Sequence, residues 1–486
     1  MNKNIVTVAG VEVSTDHFIG GRRVSSAERF ANLSPVDGSH LSDVAAAGPA
    51  EVDEAVAAAR KAFPAWAALG PKGRLPYLKR LAEGIKARAK DLASVETMDN
   101  GSLLAANLHR TMPRAAHNIE FFADWALTLD QHTIDSPEVV NHVKYDPAGV
   151  AALVTPWNAP FMLTTWKVGP ALAAGNTVVV KPPEWAPLTC SLLADIANDA
   201  GIPAGVLNVV QGLGGVAGDA LVNHADIDRI SFTGSTDTAK VIGQAAARSI
   251  TPVSFELGGK SPFIVCSDAD LDASAQTVAG QYGNAGQVCL AGTRVLVEQS
   301  IAKPFLEKVR LAASHMLVGD PREKDTRVGP LITRKHFDRV AGFVERAKRD
   351  GAVPLWGGSR ANFGELYFEP TMFENVQPAL EVAQREVFGP VLTWQTFSSD
   401  DEVVELANNT QYGLAGTLFS RNEQRAMNIA SRVVAGTVWV NCYFVRELAA
   451  PFGGSRNSGI GREGGSWSFD FYCDVKNIAV RRGAFA

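Results

Sequence analysis

At 486 residues the chain is too long to close around one hydrophobic core, so two or three domains are expected. Hydrophobic residues make up 46% and charged residues 20%, which argues against disorder, and a net charge of −5 without a basic patch gives nucleic-acid binding no support. The run Met1-Asn2-Lys3-Asn4-Ile5-Val6 lacks the apolar core of a secretion signal, no apolar stretch approaches a membrane span, and five cysteines make no disulfide framework. A reducing, cytoplasmic setting is expected, with no membrane partner.

In chain order, Val52, Val56, Ala59 and Phe63 fall on one helical stripe. A second helical region covers about 72–98, and the basic run from Lys79 to Lys90 reads as its solvated face. Between His132 and Tyr145 the pattern turns polar and β-like. It finds no room in the sheet that follows and reads as an excursion packing elsewhere, for instance on another subunit. The runs Val150 to Trp157, Thr177 to Pro182, Gly205 to Val210, Arg229 to Gly234 and Ser261 to Cys266 are expected to be buried strands. Their spacing leaves room for crossover helices, which predicts a doubly wound α/β sheet. Residues 258–459 mix strands and helices again and form a second α/β domain.

Chemistry concentrates at the ends of the predicted strands. Cys289 lies in Gly286-Gln287-Val288-Cys289-Leu290-Ala291-Gly292, whose small flanks let backbone approach a ligand closely. A cysteine is more often a small buried hydrophobe, and Cys190, Cys266, Cys442 and Cys473 fit that role. Glu256 closes an apolar run before Gly258-Gly259, where partial burial would raise its pKa and suit a general base. A thiol nucleophile with a separate carboxylate base is what covalent oxidation of an aldehyde requires. Asn158 ends Pro156-Trp157-Asn158; it is either a turn former or an amide donor for an oxyanion. Lys181 and Glu184, just past a strand, face a nucleotide or pair with each other at the surface. Glu184 would accept from ribose hydroxyls and repel a 2′-phosphate, favouring NAD over NADP. The segment Gly212-Leu213-Gly214-Gly215-Val216-Ala217-Gly218 misses the dinucleotide spacing and is weak alone. Phe232-Thr233-Gly234-Ser235-Thr236 opens a helix whose N–H groups can hold a pyrophosphate. No H-E-x-x-H or C-x-x-C occurs, and Asp268 to Asp272 lacks the Gly and Glu of a calcium loop, so no metal is expected.

The set Pro156-Trp157-Asn158, Lys181-Pro182-Pro183-Glu184, Phe232-Thr233-Gly234-Ser235-Thr236, Glu256-Leu257-Gly258-Gly259-Lys260, Gly286-Gln287-Val288-Cys289, Glu386-Val387-Phe388-Gly389-Pro390 and Pro451-Phe452-Gly453-Gly454 resembles the aldehyde dehydrogenase superfamily, nearly end to end. The resemblance implies Cys289 as nucleophile, Glu256 as base, Asn158 in the oxyanion hole, and Lys167 and Glu463 near the deacylation path. It implies NAD held at its adenosine ribose by Lys181 and Glu184, at its pyrophosphate by Gly234 and Ser235, and at its nicotinamide end by Glu386 and Phe388. Thr155, Pro156, Trp157, Gly214, Gly218, Phe232 and Leu257 complete that cofactor surface. The implied fold is a Rossmann-like cofactor domain (1–127 and 146–257), a catalytic α/β domain (258–460) and a small β oligomerisation arm (128–145 and 473–486), giving a homodimer or homotetramer. Ala239 departs from a glycine common in the family.

The stretches 112–124, 157–163 and 439–472 are similar to the branch that oxidises hydroxymuconic semialdehydes, including the 5-carboxymethyl form. That resemblance implies Arg114 and Arg446 gripping the substrate carboxylate, since a guanidinium fork pairs bidentately with one. Tyr443, Phe444 and Phe161 are expected to wall the entrance. A neutral aromatic or aliphatic aldehyde, of the benzaldehyde type, is the alternative.

Overall fold

The computed structural model describes residues 4–129 and 133–484. The readings on Met1 to Lys3 and on His132 therefore lie outside the described residues. An unbroken apolar run gives the strand Val150–Val154 two buried faces. Val150 and Ala152 pack with the helix Pro49–Ala68 through Val52, Val56 and Ala59, while Ala151 and Leu153 pack with Leu172 and Leu192 of the helices Pro160–Ala174 and Leu188–Asp199. A strand buried on both sides reads as a continuous apolar run and belongs in a parallel sheet.

That sheet has eight strands, in the order Gly459–Ile460, Val253–Leu257, Arg229–Gly234, Val150–Val154, Thr177–Lys181, Leu207–Val209, His17–Ile19, Arg22–Val24. The middle five are parallel, and antiparallel strands close both edges. From Val150–Val154 the chain winds outward through Thr177–Lys181 and Leu207–Val209, then returns to Arg229–Gly234 on the opposite flank. This reversal opens a crevice at the carboxyl ends of Val150–Val154 and Arg229–Gly234, the place where such sheets bind ligands.

Three sequence expectations change. The Ser261 to Cys266 run does not join this sheet; its strand, Pro262–Val265, sits in a second sheet, and Val253–Leu257 takes the fifth parallel place. The helical region 72–98 is two helices, Gly70–Ala87 and Ala89–Asn100, broken where Arg88 leaves helical geometry (φ −102°, ψ 15°). The strand Gly459–Ile460, assigned with the catalytic segment, pairs antiparallel with Val253–Leu257 at the edge of the first sheet.

The second sheet has seven strands, in the order Val353–Trp356, Thr371–Glu374, Val391–Phe397, Arg294–Glu298, Pro262–Val265, Ala415–Phe419, Thr437–Val440, all parallel but the first. A third sheet joins Thr133–Asp135, Val139–Pro147 and Cys473–Arg481. The last two pair antiparallel from Cys473↔Pro147 to Arg481↔Val139, leaving Cys473–Arg481 as a long, largely exposed edge. All five cysteines are free thiols. Among the described residues no helix is long and apolar enough to cross a membrane.

Candidate active site

Cys289 is carried by the loop between the turn Gly283–Gly286 and the strand Arg294–Glu298. Asn284, Ala285 and Gly286 all adopt left-handed backbone (φ 52°, 54° and 69°), a conformation that costs energy in the first two and must be held from outside. Gln287 does the holding: its Nε2 donates to Asn284 O (3.0 Å) and Pro330 O (3.3 Å), and its Oε1 accepts from Ile332 N (3.0 Å). The expectation that Gly286 and Gly292 leave room for a ligand is corrected. A Cβ at Gly286 would overlap the Gly389 backbone, and one at Gly292 would meet Phe263 at 3.0 Å, so both glycines serve protein packing. Gly259 is the glycine that approaches the nucleophile, its ideal Cβ position lying 3.1 Å from the Cys289 carbonyl oxygen. Cys289 is half-buried, yet burial, then Glu386 and Glu256, push its thiol up to about 12. Asn158 Nδ2 donates to Gln287 O at 2.9 Å, which ties the amide to the cysteine loop and leaves its second proton free.

Glu256, on the strand Val253–Leu257, is 6% exposed and its Oε1 is buried without a partner. Burial, reinforced by Glu463, holds its carboxyl well above the usual carboxylate range, against the opposing pull of Lys167, Arg446 and Arg462. Lys167 Nζ pairs with Glu463 Oε1 (3.1 Å) and donates to Ser231 Oγ (2.8 Å). Glu463 also accepts from Trp166 Nε1 and from Ser254 Oγ (3.3 Å). Lys167 and Glu463 thus form a closed, buried ion pair beside Glu256. Trp166, Ser231, Ser254 and Gln287, which complete these networks, were not singled out in the sequence; only contacts between distant segments mark them.

The crevice of the first sheet gathers the residues expected at a cofactor. Thr155 Oγ1 is buried without a partner. Lys181 is buried, with its Nζ on Glu184 Oε2 at 3.1 Å, so the surface-pair alternative fails for the lysine. Burial lowers the Lys181 pKa, and Glu184 opposes the shift. The turn Gly214–Gly218 lies beside them: ideal Cβ positions fall 3.7 Å from Glu184 Oε2 at Gly214 and 4.0 Å from Lys181 Cδ at Gly218. Ser235 caps the helix Thr236–Ala247, accepting from Thr238 N at 3.2 Å. Glu386 Oε1 accepts from Gly259 N at 3.1 Å, and burial pushes its carboxyl up to about 7. Trp157 meets Phe388 edge-on at 5.2 Å, and His336 Nε2 donates to Phe388 O at 2.8 Å, bracing a residue with φ of 56°. The Phe232 ring packs on Phe255 (6.2 Å) beneath Gly234, and the Leu257 side chain is buried in the same core, which leaves the backbone as the part of either residue that could meet a cofactor. A glycine turn beside a buried Lys–Glu pair and a capped helix start at the switch point fit the sugars and phosphates of a dinucleotide.

Past Cys289 the lining becomes cationic and aromatic. Arg114 donates from Nε to Asn118 Oδ1 (3.1 Å) and from Nη1 to the carbonyl of Arg446 (3.2 Å). The Arg446 guanidinium lies over the rings of Phe452 (3.6 Å) and Trp166 (4.6 Å). Among the described residues no carboxylate comes within ion-pairing distance of either arginine. Burial lowers both pKa values, Arg446 further depressed by Arg114. Tyr443 and Phe444 stack at 5.8 Å, Trp439 meets Tyr443 edge-on at 5.5 Å, and Phe444 is 47% exposed. Phe161 is corrected: it is fully buried in the main core, and the residues of the helix Pro160–Ala174 left half-buried are its neighbours Met162 and Leu163.

A family model described as "Aldehyde dehydrogenase family" matches residues 23–478. The 2-hydroxymuconic semialdehyde dehydrogenase of Pseudomonas sp. (strain CF600) is 41% identical over 480 residues, covering 96% of this chain and 99% of that protein. The 2-aminomuconic semialdehyde dehydrogenase of Danio rerio is 38% identical over 476 residues, covering 96% and 98%. A P. syringae indole-3-acetaldehyde dehydrogenase, solved in complex with NAD+ and IAA, superposes with a TM-score of 0.95 at 38% identity, over 97% of each chain. With a family match over most of its length and relatives of this identity end to end, the chain belongs to the aldehyde dehydrogenase family.

Proposed function

We propose that the protein oxidises an aldehyde to a carboxylic acid with NAD, and that the aldehyde is an unsaturated semialdehyde bearing a carboxylate at its far end, of the hydroxymuconic type. The observation that carries the substrate class is the pair Arg114 and Arg446: two half-buried guanidiniums with no carboxylate among the described residues within ion-pairing distance. A partly desolvated guanidinium without a paired carboxylate gains most from a ligand that supplies one. Similarity to muconic semialdehyde dehydrogenases supports the same reading.

The chemistry follows from the arrangement. Sulfur of Cys289 bonds to the carbonyl carbon, and the carbonyl electron pair moves to oxygen. Asn158 Nδ2 and the Cys289 N–H would receive that oxyanion, a contribution of about 3–4 kcal/mol per donor in comparable sites. The thiol proton leaves to solvent as sulfur attacks, and Glu256, held basic by its surroundings, is kept for the proton of water. Bound NAD supplies the acceptor for the hydride whose loss turns the thiohemiacetal into a thioester. Glu256 then removes a proton from water as its oxygen attacks the thioester; the C–S bond breaks, releasing acid and thiol. Lys167 and Glu463, already paired, balance the charge changes on Glu256 from behind. Lys181 and Glu184 hold the adenosine ribose, Gly214–Gly218, Gly234 and Ser235 the pyrophosphate, and Glu386 with Phe388 and Trp157 the nicotinamide end. We assign 1–127 with 146–257 and the edge strand Gly459–Ile460 to cofactor binding, 258–458 to catalysis, and 128–145 with 473–486 to an arm joining copies into a dimer or tetramer in the cytoplasm, where free thiols persist.

A second reading, a neutral aromatic aldehyde, is favoured by the stack of Trp439, Tyr443 and Phe444. NADH formation from 6-oxohexanoate and from hexanal, equal in carbon number, separates the two. A kcat/KM at least about tenfold higher for 6-oxohexanoate is expected from a paired carboxylate. Equal values would leave the arginines without a substrate role.

A further inference from the structure

We infer that Asn118 is a specificity-determining positioning residue, which fixes Arg114 through a neutral amide so that the guanidinium keeps its charge for the substrate carboxylate. The inference rests on the reading of the substrate as a carboxylated aldehyde.

Arg114 and Asn118 are one turn apart on the helix Met112–Trp125, so their side chains share a face. Asn118 is 1% exposed and every one of its polar groups is committed. Its Nδ2 donates to Met162 O (3.2 Å) and to Thr165 Oγ1 (3.2 Å) on the facing helix Pro160–Ala174. Thr165 spends its own hydroxyl proton on Met162 O (2.9 Å), so toward Asn118 it offers only a lone pair. Two acceptors on that side force the amide nitrogen toward them and turn Oδ1 toward Arg114 Nε, where the contact is 3.1 Å. Arg114, oriented in this way, donates from Nη1 to the Arg446 carbonyl (3.2 Å), which places the backbone of the second arginine. The Arg446 guanidinium is held in turn between the faces of Phe452 and Trp166.

Every group that holds either guanidinium is uncharged: an amide oxygen, a peptide oxygen and two aromatic rings. A carboxylate is the usual strong partner of a buried arginine. At position 118 it would pair with Arg114 and cancel its charge, while offering no proton to Met162 O and Thr165 Oγ1. The nearby carboxylates leave the charge standing, since Glu447 is exposed and neither it, Glu256 nor Glu463 pairs with the arginines. Asparagine at 118 therefore separates orientation from neutralisation. The net positive charge that remains selects an anionic aldehyde over a neutral one of the same shape.

The test is steady-state kinetics of the full-length enzyme with 6-oxohexanoate and hexanal, read as the ratio of their KM values. Asn118→Asp, nearly isosteric, is expected to raise that ratio (6-oxohexanoate over hexanal) by about tenfold or more, approaching the effect of Arg114→Gln. Asn118→Leu, which removes the acceptor but leaves the charge, is expected to raise it by a smaller factor, about threefold. KM does not depend on the concentration of active enzyme, so a variant that folds in low yield still reports. If Arg114→Gln raises the ratio and Asn118→Asp leaves it alone, the inference is overturned while the carboxylated-substrate reading stands. Parallel falls in kcat for both aldehydes at a constant KM ratio would make Asn118 merely structural and overturn it too. If Arg114→Gln itself leaves the ratio unmoved, the substrate reading fails and takes the inference with it.

Discussion

Cys289 and Glu256 come together although neither residue type announces its environment. The thiol is pushed up to about 12 by burial and by two carboxylates, so at neutral pH it is overwhelmingly protonated before substrate arrives. Removing that sulfur with Cys289→Ala is expected to lower kcat by about a thousandfold or more with either aldehyde, measured by NADH release. Glu256→Gln should lower steady-state turnover by about a hundredfold while leaving an acyl adduct on Cys289 that intact-protein mass spectrometry detects. Absence of any adduct in that variant would remove Glu256 from the hydrolytic step. The pH dependence has a definite sign. A base works deprotonated, and the Glu256 pKa is raised by burial and Glu463, so turnover should climb with pH through the neutral range instead of levelling off near the ordinary carboxylate value of about 4. Glu256 was legible in the sequence because it ends an apolar run before Gly258-Gly259, and Cys289 because small residues flank it. Phe161 was not, because its neighbours in sequence are the same whether its helix is half-exposed or covered.

Strands and the turns that follow them carry the cofactor side. Thr177–Lys181 ends by placing Lys181 against Glu184, and a carboxylate there would accept from ribose hydroxyls and repel a 2′-phosphate. Glu184→Gln is expected to shift the NAD/NADP ratio of kcat/KM toward NADP by about tenfold; a wild-type preference for NADP would contradict the role. The apolar runs marked these strands well, since β-branched residues buried on both faces leave little alternative. Which sheet the 261–266 run joins was not marked. Pro262–Val265 is as apolar as its predecessors, and only the crossing of the chain at Gly258-Gly259 sends it to the second sheet. Glu386 and His336 follow the same logic: their partners, Gly259 and Phe388, come from other segments or only from the folded loop.

Taken as an assembly of sheets, the molecule leaves Cys473–Arg481 as a nine-residue edge with Val475 and Ile478 exposed. Long open edges invite pairing with another chain. Ile478→Lys is expected to weaken self-association, read as a fall in mass by light scattering at micromolar protein; an unchanged mass would free the arm of that role. The order of residue types along the chain was enough to determine the family and the doubly wound sheet, and to bring forward Cys289, Glu256 and the Lys181–Glu184 pair as candidates, because the motifs and the apolar runs are written in contiguous residues. The tertiary structure alone decided the second sheet's membership, the burial of Phe161, Phe232 and Leu257, the Gln287 brace behind the nucleophile, and the uncharged cradle that Asn118, Trp166 and Phe452 make for two arginines. Those depend on side chains far apart in the chain meeting at close range, and no local pattern encodes which of the many apolar or amide neighbours a given group will find.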